Sequence, residues 1–94
     1  MNRHIYIVTY DLKYKWARNY TGLYNVLKSF PSWMHYIANT WLICTEKNPE
    51  EICNSLRPHL SSDDNILITR MTNEYFGYLP KEAWSWIKSR RQYL

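Results

Sequence analysis

His4-Ile5-Tyr6-Ile7-Val8-Thr9-Tyr10-Asp11-Leu12, residues 4–12, is the stretch that decides how the rest of the chain is read. From Ile5 to Tyr10 every residue is β-branched or aromatic, the types that fit a pleated, half-buried surface. A run with no charge until Asp11 is buried on at least one side, which places it centrally in a sheet. Three further segments can pair with it. Residues 33–37 and 40–45 are rich in aromatic and branched side chains and flank a short turn at Ala38-Asn39. That turn predicts a hairpin, although it lacks the Asn-Gly or Asp-Gly pair that most strongly specifies one. Residues 65–72, with Ile66-Leu67-Ile68 at their centre, complete a four-stranded set.

Between these segments the apolar period changes from two to about 3.6. Leu23, Leu27 and Phe30 recur at spacings of four and three after Asn19, a plausible N-cap, and Pro31 stops the helix they imply. Asn48-Pro49-Glu50-Glu51 is a strong helix start: a capping residue, a proline at the first helical position, and two carboxylates near the positive end of the dipole. Ile52, Leu56 and Leu60 follow as its buried stripe, and Pro58 predicts a frayed or kinked end. Ser61 to Asp64 reads as a polar turn and residues 73–79 as a connector. A last helix begins at Pro80, with Trp84, Ile87 and either Tyr75 or Phe76 as its apolar contacts.

The expected fold is therefore α+β, a ferredoxin-like βαββαβ domain spanning residues 1–94. It has a four-stranded antiparallel sheet, two helices on one face and an additional C-terminal helix. The other face carries too many large apolar residues to stay in water, so the extra helix, a ligand or a second copy must cover it. This is the physical reason to expect a homodimer.

Composition narrows the function classes. Cys44 and Cys53 are too few for a disulfide framework or a zinc site and read as reduced thiols of a cytoplasmic protein. No apolar run approaches the ~18 residues that span a bilayer. Two glycines in 94 residues leave no material for a Gly-rich phosphate loop, and Walker, Rossmann and zinc patterns are missing. Aromatic residues make up 17% of the chain, more than a small core needs, which hints at an interface or a stacking platform.

The net charge is +4, and its placement says more than its size. Lys13, Lys15 and Arg18 interleave with Tyr14 and Trp16 in the segment after the first strand. Cations that pair phosphates beside rings that stack on bases are the elements of a nucleic-acid-binding loop. Arg90 and Arg91 at the tail extend that surface or merely complement a helix end. Thr9, Tyr10 and Thr40 offer hydroxyls near the end of the first strand. His35 is a general base or ligand candidate, weighed against packing beside Trp33 and Tyr36.

Taken together, Tyr6-Ile7-Val8-Thr9-Tyr10-Asp11-Leu12, then Trp33-Met34-His35-Tyr36 with Thr40-Trp41-Leu42-Ile43, and Leu79-Pro80-Lys81-Glu82-Ala83-Trp84 resemble the Cas-two family. These are CRISPR adaptation proteins related to the VapD toxin ribonucleases, and a SinR-like offshoot is the nearest in detail. The resemblance runs over nearly the whole chain. It implies that Asp11, matching the aspartate that ends strand one, lies at a dimer interface. There the carboxylates of two subunits would hold a divalent metal, Mg²⁺ by its preference for oxygen ligands, for phosphodiester cleavage. Two departures stand out. Lys13-Tyr14-Lys15-Trp16-Ala17-Arg18 replaces an arginine-rich run, and the tail forms an aromatic helix where many relatives place a strand.

The leading expectation is a homodimeric nucleic-acid-binding protein of this superfamily, acting as a metal-dependent endoribonuclease through Asp11 of both subunits, with RNA favoured over DNA. Against it stands the turn-capping role common for a strand-end aspartate. Two alternatives remain open: a non-catalytic nucleotide sponge using Trp16, Trp33 and Trp41 as a base sandwich, and a protein-interaction subunit.

Overall fold

The computed structural model describes residues 2–16 and 19–94. Its elements run β1 (His4–Asp11), α1 (Thr21–Ser29), β2 (Ser32–Ile37), β3 (Thr40–Thr45), α2 (Pro49–Leu56), β4 (Asn65–Arg70) and α3 (Lys81–Lys88). Short 3₁₀ turns follow α2 at Arg57–His59 and α3 at Arg91–Tyr93. The fold is α+β, with one four-stranded antiparallel sheet in the order β2-β3-β1-β4. β1 is central, as its composition predicts. It pairs with β3 from His4 opposite Thr45 to Thr9 opposite Thr40, and with β4 from Tyr6 opposite Arg70 to Asp11 opposite Asn65.

Strand alternation sorts β1 between two cores. Tyr6, Val8 and Tyr10 join Trp41 and Ile43 of β3 under α1 and α2, which contribute Leu23, Leu27, Ile52 and Leu56. Ile5, with Leu42, Cys44, Met34 and Met71, points the other way and is covered by Ala83 and Ile87 of α3. So α1 and α2 pack on one face and α3 on the other. α3 covers only the end of its face near Ile5. Toward Asp11 that face carries the exposed Tyr36, Ile37 and Leu67. Burial pushes the Cys44 thiol above its ordinary range despite the nearby Arg3 and Arg90, as expected of an inert core thiol. No helix among the described residues is long and apolar enough to cross a membrane.

Boundaries moved for local reasons. α1 begins at Thr21, and Asn19 caps from one position further out than predicted, its Oδ1 accepting the Thr21 N–H at 2.8 Å. Gly22 lies close under His59 near that start, and a Cβ there would force the His59 ring to shift. β4 ends at Arg70, two residues short of expectation, although Met71 still donates to the Ile5 carbonyl at 2.9 Å. Pro58 acts as predicted: α2 stops at Leu56 and tightens into the 3₁₀ turn.

α2 starts with a complete capping box. Asn48 Oδ1 accepts the Glu51 N–H at 2.8 Å, and the Glu51 carboxylate accepts the Asn48 N–H at 3.0 Å. Replacing Asn48 by Ala should therefore destabilise the protein by about 1 kcal/mol in urea denaturation, and Asn48→Ser should recover most of that loss. Equal midpoints for wild type and Asn48→Ala would show that the cap contributes nothing.

Candidate functional site

β1 carries the chain out of the sheet at Asp11, on the face opposite Tyr10 and therefore the face that α1 and α2 leave open. Asp11 is exposed, and its carboxylate makes no hydrogen bond or ion pair among the described residues. Among the described residues Asp11 thus makes no turn-capping bond. Carboxylates from elsewhere in the chain do that work. Asp64 accepts the Lys13 N–H at 2.7 Å and the Ser61 N–H at 2.8 Å, and Tyr20 Oη donates to both of its oxygens at 3.0 and 2.9 Å. Tyr14 Oη donates to Asp63 Oδ2. The β1–α1 segment is therefore latched at both ends to the turn before β4.

Electrostatics follow this latch. Partial burial tends to raise the Asp64 pKa, but the N–H donors of Lys13 and Ser61 and the Tyr20 hydroxyl outweigh it and hold the carboxyl below its ordinary range. The hydrogen bond to the Asp63 carboxylate pushes the Tyr14 phenol up.

The latch presents the basic-aromatic segment outward. Lys13 and Lys15 are exposed, and Trp16 is 98% exposed, without support from the core. Lys15 lines a hollow of about 240 Å³ with Tyr10, Asp11, Leu12, Tyr24, Ala38 and Asn39. Arg18 lies outside the described residues. On the Asp11 face, Thr9 Oγ1 and Thr40 Oγ1 are 3.0 Å apart and share a hydrogen bond. Asp11, Lys13, Lys15, Trp16, Thr9 and Thr40 are thus brought to one end of the sheet.

Other predicted residues are engaged elsewhere. Tyr10 is buried, and its hydroxyl accepts the Trp41 Nε1–H at 2.9 Å. Burial raises its pKa, partly countered by that donor. His35 stacks on Trp41 with ring centroids 4.0 Å apart and bonds the Ala38 carbonyl through Nε2 at 2.9 Å. That is the packing role weighed against catalysis. Trp41 is 1% exposed and also stacks on Tyr24, while Trp33 tilts against it at 5.3 Å. Of the three tryptophans in the sponge arrangement, Trp41 is therefore buried, Trp33 is partly exposed and Trp16 is fully exposed.

Arg90 and Arg91 do not join the loop. Arg90 lies over the Trp86 ring at 4.4 Å and donates to Ser32 Oγ at 2.6 Å, which ties α3 to the first residue of β2. Ser32 pairs with Cys44, which pairs with Ile5, so this is the opposite end of β1 from Asp11. Arg91 is exposed beside it.

Sequence reasoning missed the latching role of Asp63 and Asp64, which looked like turn residues; of the two connector aromatics it offered as contacts of the last helix, Tyr75 stacks on Trp84 and Phe76 stays exposed. Tyr75, Phe76 and Tyr78 rim a groove of about 360 Å³ on the open face, floored by Ile7, Leu42 and Met71. Among the described residues no three His, Cys, Asp or Glu side chains gather as a metal site. No family model, curated protein or solved structure matches the chain.

Proposed function

We propose that this chain is a homodimeric nucleic-acid-binding protein of the Cas-two-like superfamily, with a ferredoxin-like fold, acting in the cytoplasm as a metal-dependent endoribonuclease. The observation that carries the reading is Asp11 itself. A carboxylate without a side-chain partner among the described residues stands at the rim of an open apolar sheet face, beside a latched loop that holds out two lysines and a tryptophan. The strand order, with α1 and α2 together on one face, supports the ferredoxin-like assignment.

Two copies joined through their open faces bring two Asp11 carboxylates toward one axis. Like charges there must share a proton or bind a cation. Carboxylate oxygens with the Thr9 and Thr40 hydroxyls nearby are hard donors that suit Mg²⁺. When bound, the ion would activate water and offset charge on the phosphate. The chain's own part is to hold the substrate: Lys13 and Lys15 neutralise backbone phosphates while Trp16 stacks on a base. Full exposure of Trp16 also favours a second reading, a binding protein that does not cut.

The test places wild type and Asp11→Asn with end-labelled RNA and DNA, in Mg²⁺ or EDTA. RNA cleavage should require Mg²⁺ and disappear in Asp11→Asn, whose thermal midpoint should match wild type because the side chain is exposed and bonds none of the described residues. An Asp11→Asn protein that cuts as fast as wild type defeats the mechanism. A mobility shift without cleavage, unchanged by the substitution, leaves the binding reading alone.

A further inference from the structure

We infer that the aromatic connector after β4 is exchanged between two copies of this chain, with Phe76 and Tyr78 of each seated in the sheet-face groove of the other. This rests on the dimer proposed above and adds which side chains build it. Phe76 is 92% and Tyr78 94% exposed, although both stand at the mouth of an apolar groove. Their rings touch each other edge to face at 6.4 Å, whereas their neighbour Tyr75 is tied back to the chain by stacking on Trp84 at 6.1 Å. A Cβ on the intervening Gly77 would meet nothing within 4 Å. The connector therefore offers two bare rings on an anchored base.

The hole matches the knob. A cavity of about 150 Å³ suffices for a benzene ring, and the groove encloses about 360 Å³. Knob and hole lie side by side on one surface, the condition for an isologous two-fold contact in which each copy fills the other. Area supports the same occupant. The exposed parts of Tyr36, Ile37, Leu67, Tyr75, Phe76 and Tyr78 come to on the order of 700 Å² per copy. A standard stable interface buries about 800 Å² per partner. The groove-lining side chains carry no charge, so a second copy brings no unpaired ion into it.

The experiment replaces Phe76 with photoreactive p-benzoylphenylalanine, which attacks methionine side chains readily. Met34 and Met71 line the groove. Light and ¹⁵N-labelled chains are mixed, irradiated and digested for mass spectrometry, while sedimentation reports the assembly of the unmodified chain. Cross-links that join position 76 of a light chain to Met34 or Met71 of a heavy one establish the exchange. A dimer whose cross-links stay within one chain, or fall elsewhere, overturns the exchange and leaves the dimer standing. A monomer overturns both. The paired substitution Phe76→Ser with Tyr78→Ser should raise the dimer dissociation constant about 30-fold. Both rings are exposed, so its thermal midpoint when monomeric serves as the folding control, and an unchanged dissociation constant also overturns the exchange.

Discussion

Trp41→Ala should lose about 3–5 kcal/mol of stability, a large share of the roughly 5–15 kcal/mol that holds a domain of this size together. Trp41, the second residue of β3, has 1% of its surface exposed and turns its indole into the core under α1 and α2. Removing the indole opens a cavity that the two flanking strands, fixed in register, can close only in part. It also takes the stacking surface from His35, Tyr24 and Trp33 at once. Finally, the buried Tyr10 hydroxyl loses its Nε1–H donor.

Trp41→Phe separates these effects. It keeps a ring in place and drops the donor, so the cost should fall to about 1–2 kcal/mol. In that variant the Tyr10 phenol, already raised by burial, should rise further, because the lost donor favoured the phenolate. A raised phenol stabilises the fold fully below its unfolded value of about 10, and that stabilisation is lost as pH climbs through the folded value. Urea denaturation followed by far-UV circular dichroism measures both variants. A loss under about 1.5 kcal/mol for Trp41→Ala would mean that the aromatic cluster collapses around the gap.

Trp41 also marks where sequence reading stops. Its strand was legible, since Thr40-Trp41-Leu42-Ile43-Cys44-Thr45 is β-forming throughout and the strand runs Thr40–Thr45. The capping box of α2 was legible for the same kind of reason, because its partners lie three residues apart. Which of the tryptophans is buried was not. Trp16, Trp33 and Trp41 are equally apolar, and only the register of β3 against β1 decides that Trp41 goes inward.

The candidate site divides in the same way. Asp11 and the basic loop could be read because they are contiguous. The latch could not, since Asp64 and its donor Lys13 are separated by most of the fold. Arg90 and Lys13 are both cations on unpatterned segments, and the tertiary pairing of Ser32 with Arg90 sends one to the far end of the sheet.

The latch carries the other large prediction. Asp64→Ala removes one acceptor from the Lys13 amide, the Ser61 amide and the Tyr20 hydroxyl together. Hydrogen bonds to a carboxylate contribute about 1.5–3 kcal/mol each, reduced here because the group is partly exposed, so the total loss should be about 2–3 kcal/mol. The sign of the pH dependence follows from the lowered pKa of Asp64. Its stabilisation is present above the ordinary aspartate value of about 3.9 and is lost as pH falls through the lower folded value. Wild type should therefore lose this part of its stability only in the acid window below about 3.9, and Asp64→Ala should show no such loss there. A purely local readout exists as well. The Lys13 amide, protected in wild type by its 2.7 Å bond, should exchange its hydrogen far faster in Asp64→Ala, while amides at the centre of β1 keep their relative protection. If the Lys13 amide exchanges equally in both proteins, the loop is held by something other than Asp64. In that case the outward presentation of Lys13, Lys15 and Trp16 does not depend on the latch.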